Sequence, residues 1–373
     1  MILTIVLFVA ILGLLVFVHE LGHFLTAKRA GATVLEFGFG FPPRLFGIRR
    51  KGTIYSMNWI PVGGFVKIKG EGGEDTDAPD SFANLATWKR AGIVLSGVAM
   101  NVLLATFLFS FIFAAGAPTT LEGDLPAGAQ VSQRRIQILG VDSGSPAERA
   151  NLRLGDTVVS LDGKPVATVE EIQAYNAAHE GVEELLEVQR GKATVQVRIA
   201  PEKYDGAGAA IWGVNLAETG IVRYPWYVAL WLGVKTAVVM LWNIILAFFG
   251  LLRDLVVSQR LSGDIAGPVG IAALTGQVAS LGFIHLIQFA ALLSLNLAVI
   301  NALPFPALDG GRALFLAIEK FRGKKVNIRI ETIIHNVGFF LLLLLVLAVT
   351  IRDVMRVGGK FLNTIGSFFT GGS

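Results

Sequence analysis

Long apolar runs alternate with polar stretches along this chain. The apolar segments cover about residues 1–25, 91–115, 226–252, 284–305 and 332–351. Each approaches or exceeds the roughly 20 residues a helix needs to cross a bilayer. Two intervening stretches differ in pattern. Residues 34–72 alternate apolar and polar positions, with Gly and Pro punctuation in "EFGFGFPPRLFG" and "YSMNWIPVGGFVKIKGE", which predicts a β-hairpin or curled sheet. Such a sheet is unusually apolar for a connection between spans, so it is expected against or inside the bilayer edge, its backbone covered by protein. Residues 121–222 carry mixed charge, short alternating strands such as "TVVSLDG" and "ATVQVRIA", and a helical piece at "TVEEIQAYNAAHE". They predict one soluble module of ordinary domain size.

Composition agrees with the pattern. Of 373 residues 53% are hydrophobic and the mean hydropathy is +0.61, too apolar for an ordinary soluble enzyme. Cysteine is absent, which excludes disulfides and thiolate metal sites. The net charge of +4 is modest, and no nucleic-acid motif accompanies it. Met1–Phe17 lacks the basic leading region and small-residue cleavage site of a signal peptide, so it reads as a retained first span.

Ten basic residues lie between the first two apolar runs: Lys28, Arg29, Arg44, Arg49, Arg50, Lys51, Lys67, Lys69, Lys89 and Arg90. The positive-inside rule puts that connection in the cytoplasm and residues 121–222 outside. A second cluster, from Lys320 to Arg329, makes the approach to the last span cytoplasmic.

Ionisable residues inside apolar spans usually mark function, because each costs about 2.5–3.5 kcal/mol at mid-membrane on insertion scales. The first span carries "HELGH". His19 and His23, four apart on a helix, share a face and can hold one zinc ion, with Glu20 beside the open position as general base. A third ligand is needed, and Asp309, in "NALPFPALDGGRALF", is the leading candidate. Pro304 and Pro306 break the helix ahead of it, and Gly310–Gly311 free the backbone after it.

The shared site constrains topology. If residues 226–252 crossed the membrane, the next span would run outward and carry Asp309 away from His19 and His23. The expectation is therefore that 226–252 lies along the outer face or packs against the bundle, leaving four spans with both termini outside. The predicted organisation is residues 1–120 with two spans and the hairpin at about 34–72, then 121–222 as the soluble module. Residues 223–283 are membrane-associated and non-spanning, and 284–373 hold the last two spans.

Across nearly its whole length the chain resembles the site-2 protease family of intramembrane zinc metalloproteases, peptidase family M50, in its bacterial regulator-of-sigma-E protease type. The resemblance rests on "HELGH", "FGFGFPPRL", "PVGGFVKIKGE", "SGDIAGPVGIA" and "LNLAVINALPFPALDGGRALF", in that order. It implies zinc held by His19, His23 and Asp309, with Glu20 as catalytic base. It also implies a membrane-reentrant β-loop whose Gly63, Gly64 and Phe65 present an edge to substrate, and substrate-handling roles for Asn296 and Asn301. The stretch "ILGVDSGSPAERANLRLGDTVVSLDGKPVATVEEI" is similar to a PDZ domain, a peptide receptor or size filter outside the membrane.

The resulting expectation is a polytopic α-helical protein of the bacterial inner membrane. It has four transmembrane helices, a reentrant β-sheet and one extracytoplasmic PDZ-like α+β domain. It would cut single-span membrane proteins, such as clipped anti-sigma factors or remnant signal peptides, near the cytoplasmic side. Its partners are those substrates and the lipid bilayer, with no nucleic acid. The alternatives are a catalytically inactive scaffold that binds membrane proteins through the PDZ-like module, and an ion path. The ion path would need polar residues spread along several spans.

Overall fold

The structure is a computed structural model. It describes residues 2–121, 123, 125–191, 193–203, 210–257 and 267–370, with side chains excepted at 62, 255, 256 and 356–370. The helices in chain order are α1 (Ile2–Ala30), α2 (Thr87–Ala115), α3 (Pro146–Arg149), α4 (Val169–Ala178), α5 (Trp226–Val257), α6 (Pro268–Leu281), α7 (Phe283–Ala302), α8 (Asp309–Arg322) and α9 (Ile328–Thr370). The strands are β1 (Val34–Arg50), β2 (Thr53–Ile68), β3 (Ala117–Thr120), β4 (Gln130–Val141), β5 (Thr157–Leu161), β6 (Lys164–Pro165), β7 (Glu184–Arg190), β8 (Ala193–Ile199) and β9 (Val214–Arg223). They form two compact units, Met1–Ser110 with Leu230–Ser373, and Phe111–Ala229.

The first unit is a helical bundle with a small sheet. Among the described residues, five helices are long and apolar enough to cross a membrane: Ile2–Ala30, Thr87–Ala115, Trp226–Asp254, Phe283–Ala302 and Ile328–Met355. Small residues let the helices approach closely, as in lipid, where packing rather than hydrophobicity drives association. A Cβ on Gly22 of α1 would lie 2.5 Å from the Ser96 carbonyl oxygen of α2. One on Gly233 of α5 would lie 2.7 Å from the Ser110 nitrogen near the end of α2.

Length and hydropathy do not separate α5 from the other four candidate spans. It packs against the bundle, from Gly233 beside Ser110 to Phe248 and Phe249, which line a small apolar cavity with Val98 and Leu303. Gly267 then lies beside Asp353 of α9, and Gly276 beside Thr4 at the start of α1. The chain is thus back at the end of α1 remote from His23 before α7 begins. Helix α7 runs the other way, with Ser294 donating to the Asn101 carbonyl at 2.8 Å. The stretch "SGDIAGPVGIA" lies outside the described residues up to Ala266.

The hairpin of β1 and β2 turns at Lys51–Gly52, both with positive φ (47° and 82°), the two-residue geometry that matches strand twist. It is long enough to fold back on itself. Glu36–Phe39 pair with Ile54–Met57 on one side and with Gly64–Lys67 on the other. The segment Gly64–Ile68 therefore forms an edge, pairing on one side only among the described residues. The sheet lies along α1: Phe17 meets Phe37 and Phe39, and Phe24 meets Phe37 and Tyr55. The far end of the hairpin, with Phe41, Phe46, Ile48, Trp59 and Ile60, is exposed.

The second unit is an antiparallel sheet in the order β3-β9-β4-β5-β7-β8, with β6 paired to β5. Its core gathers Ile136, Ile138, Leu161, Ile172, Leu186, Val188 and Trp212. Helices α3 and α4 start on side-chain caps, Ser145 accepting from the Glu148 N–H at 3.1 Å and Thr168 from the Glu171 N–H at 3.2 Å.

Candidate metal centre

Helix α1 presents His19 and His23 on one face, toward α2. A single stripe of α2 meets them. Ile93, Gly97 and Asn101, four residues apart, lie on one helical face. The His23 Nδ1 lies 2.8 Å from the Ile93 carbonyl oxygen. A carbonyl only accepts, so that nitrogen carries the ring proton and Nε2 keeps its lone pair. The Asn101 Nδ2 lies 3.2 Å from His19 Nδ1 while its buried Oδ1 has no partner; turning the carboxamide over puts the oxygen on that ring nitrogen and fixes the second ring in the same sense.

The two Nε2 atoms then face each other at 3.2 Å. Asp309, the first residue of α8, brings Oδ2 to 3.1 Å from one and 3.4 Å from the other. Oδ2 is buried and makes no hydrogen bond. Three acceptors converging in a buried place repel one another unless a cation joins them. Zinc bonds of about 2.0–2.1 Å in tetrahedral geometry set donors roughly 3.3–3.4 Å apart, so these residues fit such an ion. Gly97 makes room: a Cβ there would lie 2.7 Å from His19 Nε2 and closer still to His23 Nε2.

Glu20 lines the same cavity of about 360 Å³, with Phe65, Val66, Arg312 and His335. A Cβ on Gly64 would sit 3.5 Å from the Glu20 side chain, which puts this sheet edge beside the carboxylate. Glu71, from the glycine-rich loop after β2, forms an ion pair with Arg312, one turn beyond Asp309 on α8. Helix α8 is anchored to α2 by Arg90, whose guanidinium grips Glu319 with two hydrogen bonds of 3.0 and 2.5 Å, both groups largely buried.

A family model of peptidase family M50 matches residues 7–345. The chain belongs to peptidase family M50. Zinc metalloprotease RasP of Geobacillus kaustophilus is 30% identical over 95% of this chain and 98% of its own. Regulator of sigma-W protease RasP of Bacillus subtilis is 29% identical over 95% and 99%. A relative from Clostridium acetobutylicum is 32% identical over 94% and 97%. The PDZ domain of an SdrC-like protein of Listeria monocytogenes matches 23% of this chain and 92% of its own at 22% identity, with a TM-score of 0.22.

In this M50 peptidase, His19, Glu20, His23 and Asp309 come together although 285 residues lie between His23 and Asp309. Gly64 and Phe65 also reach the site, and Gly63, at a φ of 87°, takes a backbone conformation that favours glycine. Asn296 and Asn301 do not line the cavity; the Asn296 amide donates to Leu292 O in its own helix at 2.9 Å. Sequence reasoning missed Ile93, Gly97, Asn101, Arg312 and Glu71. His335 lines the cavity as well. A lone carboxamide in the apolar run of α2 was the available signal for Asn101. The Ile93 carbonyl and Gly97 leave none in a single sequence.

Proposed function

We propose that the chain is an intramembrane zinc endopeptidase that cuts transmembrane segments of single-span proteins toward the cytoplasmic side of the bacterial inner membrane. The observation that carries this reading is the convergence of His19, His23 and Asp309 in a polar cavity among apolar helices. His19, His23 and Asp309 would hold zinc, which would supply Lewis acidity and ease deprotonation of water at the site near neutral pH. His23 is pre-oriented through Nδ1 by the Ile93 carbonyl, which leaves its Nε2 free to serve as a ligand, and Asn101 does the same for His19 when its amide oxygen faces the ring. Glu20 takes the proton of the attacking water as its oxygen adds to the scissile carbonyl carbon, and returns it to the leaving amine as the C–N bond breaks.

A substrate helix hides its carbonyls in its own hydrogen bonds and must be unwound first. The edge Gly64–Ile68, paired on one side only among the described residues, offers strand pairing beside Glu20, and the exposed apolar end of the hairpin suits lipid. Clipped anti-sigma factors and remnant signal peptides are the substrates in view; the Bacillus subtilis relative is named a regulator of sigma-W protease, which fits a role in sigma-factor control. In this reading four helices span and both termini lie outside. The module of residues 121–222 is an extracytoplasmic PDZ-like domain, and α5 accompanies α2 without changing the direction in which α7 crosses.

Glu20→Gln tests the chemistry. It should retain zinc yet lose cleavage of a tagged single-span substrate by about 10²–10⁴-fold, the usual contribution of a general base. Wild-type cleavage by that variant would remove Glu20 from the mechanism.

A further inference from the structure

Asp309 is delivered to the histidines by a tight turn, Leu303–Leu308, squeezed between two helices. Gly310 and Gly311 let α8 start against it, since a Cβ on Gly310 would lie 2.5 Å from the Ala302 carbonyl carbon and one on Gly311 2.8 Å from that of Phe305. From the other side Gly338 of α9 lets that helix touch Pro306, where a Cβ would lie 2.7 Å from the Pro306 oxygen. Within the turn, Ala307 holds a φ of 78°, a left-handed conformation that a side chain disfavours. Something must hold it there. Among the described residues, the turn's backbone gives one hydrogen bond to a side chain: the Ala307 N–H donates to His335 Nδ1 at 2.9 Å.

His335 sits one turn before Gly338, on the face of α9 that meets the ligand turn, and its ring lies 5.6 Å from that of Phe315 on α8. Accepting at Nδ1 leaves the proton of the neutral ring on Nε2, which is buried and has no partner. Among the described residues its one hydrogen bond is therefore the one it makes to the strained residue two positions before Asp309.

We propose that His335 is a positioning residue of the metal centre. By accepting the Ala307 N–H it keeps the Leu303–Leu308 turn in the conformation that aims the Asp309 carboxylate at His19 and His23, and so makes α9 part of zinc retention. This rests on the zinc-peptidase reading above, and extends it to a residue outside both ligand motifs.

The test is zinc affinity of the full-length protein in detergent, measured by competition with a chelator. His335→Leu removes the acceptor and should loosen zinc by about 10–100-fold, the range seen when an outer partner of a ligand is lost. Asn places its oxygen where Nδ1 stands, whereas Gln places its polar group near Nε2. His335→Asn should therefore stay close to wild type, and His335→Gln should fall with His335→Leu. Should the Leu variant not fold, the Asn–Gln pair carries the comparison alone. Zinc held by His335→Leu as tightly as by wild type, or rescue by Gln and not Asn, overturns the proposal. Because zinc is read rather than cleavage, a wild-type protein that binds zinc but cuts nothing would overturn the peptidase reading and leave this comparison standing.

Discussion

At the residue scale, the site depends on which ring nitrogen carries the proton. The Ile93 carbonyl settles that for His23, the Asn101 carboxamide does so for His19 once its oxygen is turned to the ring, and Gly97 keeps the space between the two rings open. A methyl group placed there would occupy the position a shared ion needs. Gly97→Ala should therefore abolish high-affinity zinc binding while leaving helix content unchanged, to be checked by metal analysis alongside far-UV circular dichroism. Full zinc occupancy in that variant would contradict the α1–α2 geometry. The ligands were legible because their chemistry is local: His19 and His23 share a helical face by spacing alone, and Asp309 follows an evident helix break. Gly97 and Ile93 were illegible because their role exists only once α2 is docked on α1. The role of His335 was illegible for the same reason, since it exists only once Gly338 of α9 is packed on Pro306.

Among the elements, α8 matters most, since it carries Asp309 at its first residue. Its other end is held by the buried pair of Arg90 and Glu319, and it stops at Gly323, left-handed with a φ of 68°. Removing one partner leaves the other charge buried and uncompensated, at a cost of about 3–5 kcal/mol, while replacing both with apolar residues is often close to neutral. Arg90→Leu should thus lower the denaturant midpoint sharply and weaken zinc binding, and the double variant Arg90→Leu with Glu319→Leu should recover most of the stability. An additive loss in the double variant would show that the pair does not act as a unit. The hairpin was readable from alternation and its Gly and Pro punctuation. Its folding back on itself, which leaves Gly64–Ile68 as an edge beside Glu20, was not, because alternation fixes faces but not pairing partners.

On the scale of the whole molecule, two compact units carry different physics. The membrane unit holds the metal site. In the other unit Glu184 of β7 is buried to 1% exposure, facing the Trp212 indole without a hydrogen bond of good geometry. Burial pushes its carboxyl up to about 7 from 4.5. The folded unit then binds a proton that the unfolded chain has released between those values, so its stability falls as pH rises from about 4.5 to about 7 and levels off above. Glu184→Gln should remove that dependence, and hydrogen exchange of β7 and β8 in the intact protein, corrected for intrinsic rates, is the measurement. Exchange that is equally pH-dependent in the variant would assign the effect elsewhere. Depth relations in the membrane unit were partly legible by parity: Asp309 had to return to the level of His23, and α7 runs in that direction. The path taken by α5, alongside α2, was not, because hydropathy gives length and not neighbours.

The most direct test is the zinc content of purified, cleavage-competent protein, compared between wild type and Asp309→Asn. One zinc per chain in wild type, lost in the variant together with activity, is the predicted result. Full activity in a preparation free of metal, or zinc retained at wild-type affinity without the Asp309 carboxylate, would contradict a centre built from His19, His23 and Asp309.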